Sequence, residues 1–239
     1  MIQIRKTAII TGGSRGIGKE VAILLAKKGI NVVICSRNHN EINRVVEEIK
    51  AMYQVSEVLG LKCDISISIE VNTLIKSTIE RFGGIDILIN NAGIVFVKKL
   101  IDTLEEEWDQ TINTNLKGAF LCSKAVLPYM IHKKSGVIIN VSSGAGKVGF
   151  ENISAYCASK FGMMGLTESL AWEVANYNMR VMTICPGEVD TKMQESTDQE
   201  YYKLNKDKWL EPREVADKIT EMIFDEDYYK NGESIDIYK

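Results

Sequence analysis

Short, unbroken apolar runs alternate with longer amphipathic stretches along the chain. The runs are TAII (7–10), NVVIC (31–35), SEVLGLKCD (56–64), IDILIN (85–90), GVIINVSS (136–143) and RVMTICPG (180–187), with a last one, ESIDIY, at 233–238. Ile and Val dominate them without polar alternation, as expected of strands buried on both faces of a parallel sheet. The stretches 17–28, 40–52, 68–82, 103–132 and 155–176 predict helices. Such alternation predicts an α/β, doubly wound (Rossmann) parallel sheet of about seven strands, with right-handed crossovers placing helices on both faces. We expect one domain over 1–239. Pro128, Pro186 and Pro212, the three prolines, stand where element boundaries are expected. One long polar interruption, 188–211, predicts a flexible loop with short helices beyond a strand's C-terminal edge.

Composition narrows the function classes. The chain is 45% apolar and 26% charged with a net charge of −3, so no basic excess points to nucleic acid or an anionic membrane. No apolar run approaches the roughly 20 residues of a membrane span. Lysine pairs at 27–28, 98–99 and 133–134 read as solvated helix ends. Cys35, Cys63, Cys122, Cys157 and Cys185 are widely spaced and odd in number, which predicts reduced thiols in a cytoplasmic protein. His39 and His132 are the only histidines, leaving little material for a metal site, and none is expected.

Residues 11–20, TGGSRGIGKE, satisfy three motifs at once. Gly12-Gly13-Ser14-Arg15-Gly16 fits the G-x-S-x-G of a hydrolase nucleophile elbow. That elbow needs an oxyanion-hole N–H from an earlier loop, which ten preceding residues cannot supply. Gly13 through Lys19 fits a triphosphate-binding loop, but Glu20 stands where a Mg²⁺-holding Ser or Thr is required. The third reading is a dinucleotide turn spaced Gly12-x-x-x-Gly16-x-Gly18. Its glycines let the backbone turn tightly after the first strand and approach a pyrophosphate resting on helical N–H groups near Ile17.

Four more motifs accompany it in order: NNAG (90–93), NVSS (140–143), YCASK (156–160) and PGEVDT (186–191). Together with TGGSRGIG they resemble the short-chain dehydrogenase/reductase family over roughly residues 6–195. The middle of the chain is similar to bacterial 3-oxoacyl-carrier-protein reductases and related carbonyl reductases. The resemblance implies hydride transfer between a nicotinamide and a carbonyl or secondary alcohol, with Tyr156 as acid and base. Tyr156 and Lys160 are one turn apart on one helical face. A nearby ammonium is expected to lower a phenol's ordinary value of about 10.

By the same resemblance, Ser143, thirteen residues before the tyrosine, holds the substrate oxygen, while Ser142 reads as a strand-end residue bonding backbone. Asn115, rather than Asn113, matches the asparagine that holds a relay water behind the lysine. The motifs place Gly12, Ser14, Arg15, Gly16, Ile17, Gly18, Ser36, Arg37, Asp64, Ile65, Asn91, Ala92, Gly93, Pro186, Gly187, Val189 and Thr191 around the cofactor. Within these, Asp64 meets the adenine, and Thr191 with the Val189 backbone meets the carboxamide. The second strand ends in Ser36-Arg37, where NAD-preferring enzymes carry an acid about 20 residues beyond the glycines. Arg37, joined by Arg15, therefore predicts NADP(H).

Ala145, Val148, Phe150, Glu188, Met193 and Trp209 are the expected substrate pocket. A small-molecule carbonyl reductase is the first expectation and the acyl-carrier reductase the second. The acyl-carrier reductases commonly end in a VDGG segment, where this chain has NGESIDIYK. They also offer cations to an acidic carrier beside the site; here Lys133 and Lys134 are candidates, and Tyr177 stands where another is wanted. A non-catalytic NADP(H) sensor is a further alternative, disfavoured by the intact Ser143, Tyr156 and Lys160. Apolar residues of the helices 103–132 and 154–176, among them Trp108, Phe120, Phe161 and Trp172, predict a homodimer or homotetramer.

Overall fold

The computed structural model describes residues 5–53 and 56–239. Seven strands form one parallel sheet: β1 (Thr7–Thr11), β2 (Asn31–Ser36), β3 (Val58–Lys62), β4 (Ile87–Asn90), β5 (Gly136–Val141), β6 (Met179–Pro186) and β7 (Ser234–Ile237). Their order is β3-β2-β1-β4-β5-β6-β7, with every neighbouring pair parallel. The expected doubly wound sheet is therefore present.

Both faces of the central strands are apolar because both are covered. Ala8, Ile10, Val32 and Ile34 join one core with Val21 and Leu25 of α1 (Gly16–Lys27) and Ile42 and Val46 of α2 (His39–Met52). The alternate residues Ile9, Val33 and Leu88 face a second core with Val71 of α3 (Ser68–Phe82). That core also takes Cys122 of α5 (Gly118–Lys133) and Leu170 of α6 (Ser154–Val174), while α4 (Glu105–Ile112) precedes α5. A period-two pattern would have exposed one of these faces.

Three expectations are corrected. The single helix expected over 103–132 is α4 and α5 joined by a π-helical bulge, Asn113–Lys117, where the Gly118 N–H reaches the Asn113 carbonyl. Pro128 lies inside α5 rather than at a boundary. Its exposed position lets water take the carbonyl bond that its missing N–H leaves. The segment 188–211 carries the expected short helices, α7 (Lys192–Glu195) and α8 (Gln199–Asn205); the correction is the helix that follows, α9 (Pro212–Phe224), which the expected elements do not include. Its signals were present: Pro212 in the first turn, and Val215, Ile219 and Met222 spaced to pack against α1.

The strand order reverses direction at β1, whose neighbours are β2 and β4. Loops leaving the C-terminal ends of β1 and β4 diverge there, which opens a crevice at that edge.

Candidate active site

The crevice is a cleft of about 1430 Å³ running from the β2 end to the 192–201 lid. The Gly-rich turn forms its floor. Gly12 has φ +64°, and a Cβ there would lie 2.9 Å from the Ala92 Cα; at Gly18 a Cβ would lie 2.6 Å from the Gly12 carbonyl oxygen. Side chains are sterically refused at both positions. The Asn91 amide donates to the Thr11 carbonyl at 2.9 Å and the Gly12 carbonyl at 3.2 Å. Backbone N–H groups of Asn91 and Ala92 donate to the Thr11 hydroxyl. The NNAG motif thus clamps the turn onto β4. Thr11 itself escaped the sequence reading, although it ends the first strand next to the glycines.

α1 starts from an extended Arg15 with no side-chain cap and no acid in its first turn. Its first N–H groups, together with its dipole, are therefore available to an anion lying over the glycines. At the β2 end the cleft is lined by Arg15, Ser36, Arg37 and Asn38, with both arginines exposed. Glu41, unforeseen in the sequence, also lines this end and accepts a bond from the Ser14 hydroxyl at 3.1 Å. Asp64 lines it too, with one carboxylate oxygen turned to the Ser66 backbone and hydroxyl. Ile65 is buried beside Gly118. Glycines admitting close backbone approach, an uncapped helix and flanking cations fit a dinucleotide.

Further along the cleft stand Ser143, Tyr156 and Lys160. β5 stops at Val141, so the last two residues of GVIINVSS diverge rather than alternate along a strand. The Ser142 hydroxyl donates to the Lys160 carbonyl at 3.2 Å, a backbone bond as expected. Ser143 faces the cleft and accepts from the Ala145 N–H at 3.1 Å. Lys160 is 3% exposed; its Nζ donates to the Val141 carbonyl at 2.7 Å and lies 5.4 Å from the Tyr156 ring centroid. Burial pushes the Lys160 ammonium down to about 8. Burial pushes the Tyr156 phenol up to about 12, with the Ser143 hydroxyl pulling it back. The expected lowering of the phenol by its lysine is therefore reversed: desolvation of the phenolate outweighs the stabilising groups around it.

Asn115 is fully buried in the bulge. Its Oδ1 accepts from the Ile94 N–H at 2.8 Å, and its Nδ2 donates to the Ile94 carbonyl at 2.9 Å and the Ser159 hydroxyl at 3.0 Å. It staples the loop after β4 to the residue preceding Lys160. The bulge supplies this placement, as π-helical turns do at functional sites.

Across the cleft, β6 ends at Pro186 and Gly187 follows it. Val189 is held through a bridge to Leu210, and Thr191 caps α7 with its methyl near Gly16. Ala145, Val148, Phe150, Glu188 and Met193, expected around a substrate, all line this cleft. Trp209 does not: it is 3% exposed, packed against Tyr201 and Tyr202, because the indole fills the space beneath the lid. Tyr201 lines the cleft in its place, and Tyr238 is a wall residue that the sequence did not suggest.

Lys133 and Lys134 end α5 at the opposite edge of the sheet, Lys133 paired with Asp86, so within one chain they do not flank this cleft. Tyr177, just before β6, lies at that same far edge.

A family model described as short chain dehydrogenase matches residues 6–202. This chain belongs to the short-chain dehydrogenase family. A 3-oxoacyl-[acyl-carrier-protein] reductase FabG from Staphylococcus epidermidis is 34% identical over 240 residues, covering 98% of both chains. That of Thermotoga maritima is 33% identical over 237 residues, covering 97% of this chain and 96% of that one. Levodione reductase superposes on this short-chain dehydrogenase with a TM-score of 0.91 at 29% identity, covering 98% of this chain and 96% of that one. A variant of actinorhodin polyketide ketoreductase with NADPH gives 0.91 at 28% identity and the same coverage. A short-chain dehydrogenase works with a nicotinamide cofactor, and the cradle above is where it fits. Among the described residues no cluster of metal-binding side chains occurs, and no helix is long and apolar enough to cross a membrane.

Proposed function

We propose that this short-chain dehydrogenase is an NADP(H)-dependent reductase of small-molecule carbonyl compounds. The observation that carries the reading is the Tyr156 phenol standing in one cleft with the Ser143 hydroxyl, buried Lys160 and a glycine cradle. The cofactor, when bound, supplies the hydride. The chain's own residues manage the oxygen and the proton. The Ser143 hydroxyl donates to the substrate oxygen and steadies its developing charge. The Tyr156 phenol delivers its proton to that oxygen as general acid. Lys160, beside the phenol ring, would hold the ribose hydroxyls of the bound cofactor, while Asn115 keeps the loop after β4 in place and would serve the proton path.

NADP(H) over NAD(H) is supported by exposed Arg15 and Arg37 at the nucleotide end, a geometry suited to a 2′-phosphate. One catalytic domain over 1–239, with a substrate loop around 188–211, is the simplest organisation. A cytoplasmic setting is supported by five unpaired, buried cysteines. Self-association into a homodimer or homotetramer is supported by exposed apolar side chains on α5 and α6, Trp172 at 83% above all.

A second reading, 3-oxoacyl-carrier-protein reduction, is favoured by the Staphylococcus and Thermotoga relatives, which are 3-oxoacyl-[acyl-carrier-protein] reductases. The test is NADPH oxidation with simple ketones, diketones and a 3-oxoacyl carrier substrate. Turnover of ketones that Tyr156→Phe abolishes while NADPH binding survives supports the first reading. Turnover confined to the acyl carrier substrate replaces it with the second. NADPH binding without turnover of any carbonyl would make the chain a sensor.

A further inference from the structure

The segment after β7 crosses the substrate end of the cleft as a strap. The Gly187 N–H donates to the Ile237 carbonyl at 2.9 Å, fixing the backbone just before Tyr238. On one side of Tyr238, Asp236 pairs with Lys147 at 2.5 Å. On the other, Lys239 donates to the Trp209 carbonyl at 2.7 Å. The strap thus joins the loop that carries Ser143 to the base of the lid. With the Ile237 backbone bonded to Gly187 and the Asp236 and Lys239 side chains engaged on either side, the Tyr238 ring lies against Gly187: a Cβ added there would fall 2.8 Å from Tyr238 Cδ1. The hydroxyl reaches toward Gly144, where an added Cβ would lie 3.8 Å from it. The ring therefore fills space left by two glycines, one adjoining Ser143 and the other following Pro186. Although packed on one side, Tyr238 is 61% exposed and lines the cleft with its other.

We propose that Tyr238 determines substrate shape: its open aromatic face favours ketones with a flat ring beside the carbonyl and refuses branched groups on the Ser143 side. This rests on the carbonyl-reductase reading. A flat ring slides over an aromatic face in offset contact, whereas a branched carbon needs depth that the Tyr238 ring occupies. The supporting ion pair removes one alternative: Lys147 is engaged by Asp236 and is not a free cation for an anionic substrate.

The test compares kcat/KM with NADPH for an aryl ketone and a branched aliphatic ketone of equal carbon number. Tyr238→Ala is expected to shift their ratio about tenfold toward the branched ketone, as deleting a pocket wall does. Tyr238→Phe keeps the ring and the parent ratio. NADPH affinity, read by fluorescence, stays at the parent value in both, which separates a pocket effect from a folding defect. Where Tyr238→Ala loses NADPH binding, Tyr238→Trp is read instead, and a deeper ring is expected to lower branched-ketone turnover further. A ratio unmoved in variants that bind NADPH normally, or moved as much by Phe as by Ala, overturns the inference alone. A parent that binds NADPH and reduces neither ketone overturns the reading beneath it.

Discussion

Lys160 Nζ reaches across from α6 to donate to the Val141 carbonyl, 2.7 Å away, at the point where β5 ends. A buried ammonium bound to a strand end ties the tyrosine-bearing helix to the serine-bearing loop. It also carries a desolvation cost, visible in a value lowered from 10.5 to about 8.

That cost makes a pH prediction. Below pH 8 both folded and unfolded states hold the Lys160 proton and the cost is fully present. Between 8 and 10.5 the folded state has lost the proton while the unfolded chain keeps it, so stability from this group rises with pH. Above 10.5 the cost is gone. Lys160→Met, which has no proton to lose, is expected to abolish turnover and to lack this rise, so that thermal melts from pH 7 to 10.5 show the parent gaining stability relative to the variant. A parent-minus-variant difference that stays flat or falls over that range refutes this account.

Asn115→Ala leaves both the N–H and the carbonyl of Ile94 without their side-chain partner. A loss of about 2 kcal/mol is expected from denaturant unfolding. Slack in the 93–95 loop should lower kcat while NADPH affinity stays close to the parent value. Loss of stability with kcat untouched would confine Asn115 to the fold.

Arg37→Asp places a carboxylate at the end of β2, where an exposed cation stands. NADPH binding should weaken at least about tenfold, or 1.4 kcal/mol, with NADH binding unchanged or tighter. Arg15→Ala should weaken NADPH less, since Arg15 shares the charge. Unchanged NADPH affinity in Arg37→Asp would remove the arginines from the nucleotide site.

Light scattering tests the assembly. A homotetramer or homodimer at micromolar concentration is expected, and Trp172→Lys on the exposed face of α6 should weaken it. A monomeric parent would show that these apolar side chains are simply solvated.

The alternation of apolar runs and amphipathic stretches sufficed by itself for the sheet, its parallel pairing and the edge where chemistry gathers, because strands covered on both faces must be apolar throughout. Motif spacing likewise placed the glycine turn and the Tyr156–Lys160 pair, since a short turn or a single helical turn fixes its own geometry, whereas Ser143 was implied by the family resemblance. Relations between distant segments were not legible. The π bulge that buries Asn115 depends on Ile94 and Ser159 arriving from elsewhere. Trp209 was expected in the cleft and lies beneath the lid, because burial of so large a side chain is decided by where Tyr201 and Tyr202 come to rest. The lysines at the end of α5 read as neighbours of the site until the sheet put them at its other edge. The tyrosine value reversed for the same reason: desolvation is a property of the cleft, which no local stretch of sequence encodes. Tyr238, at the far end of the chain, becomes a wall of the cleft only because β7 pairs with β6 and carries it there.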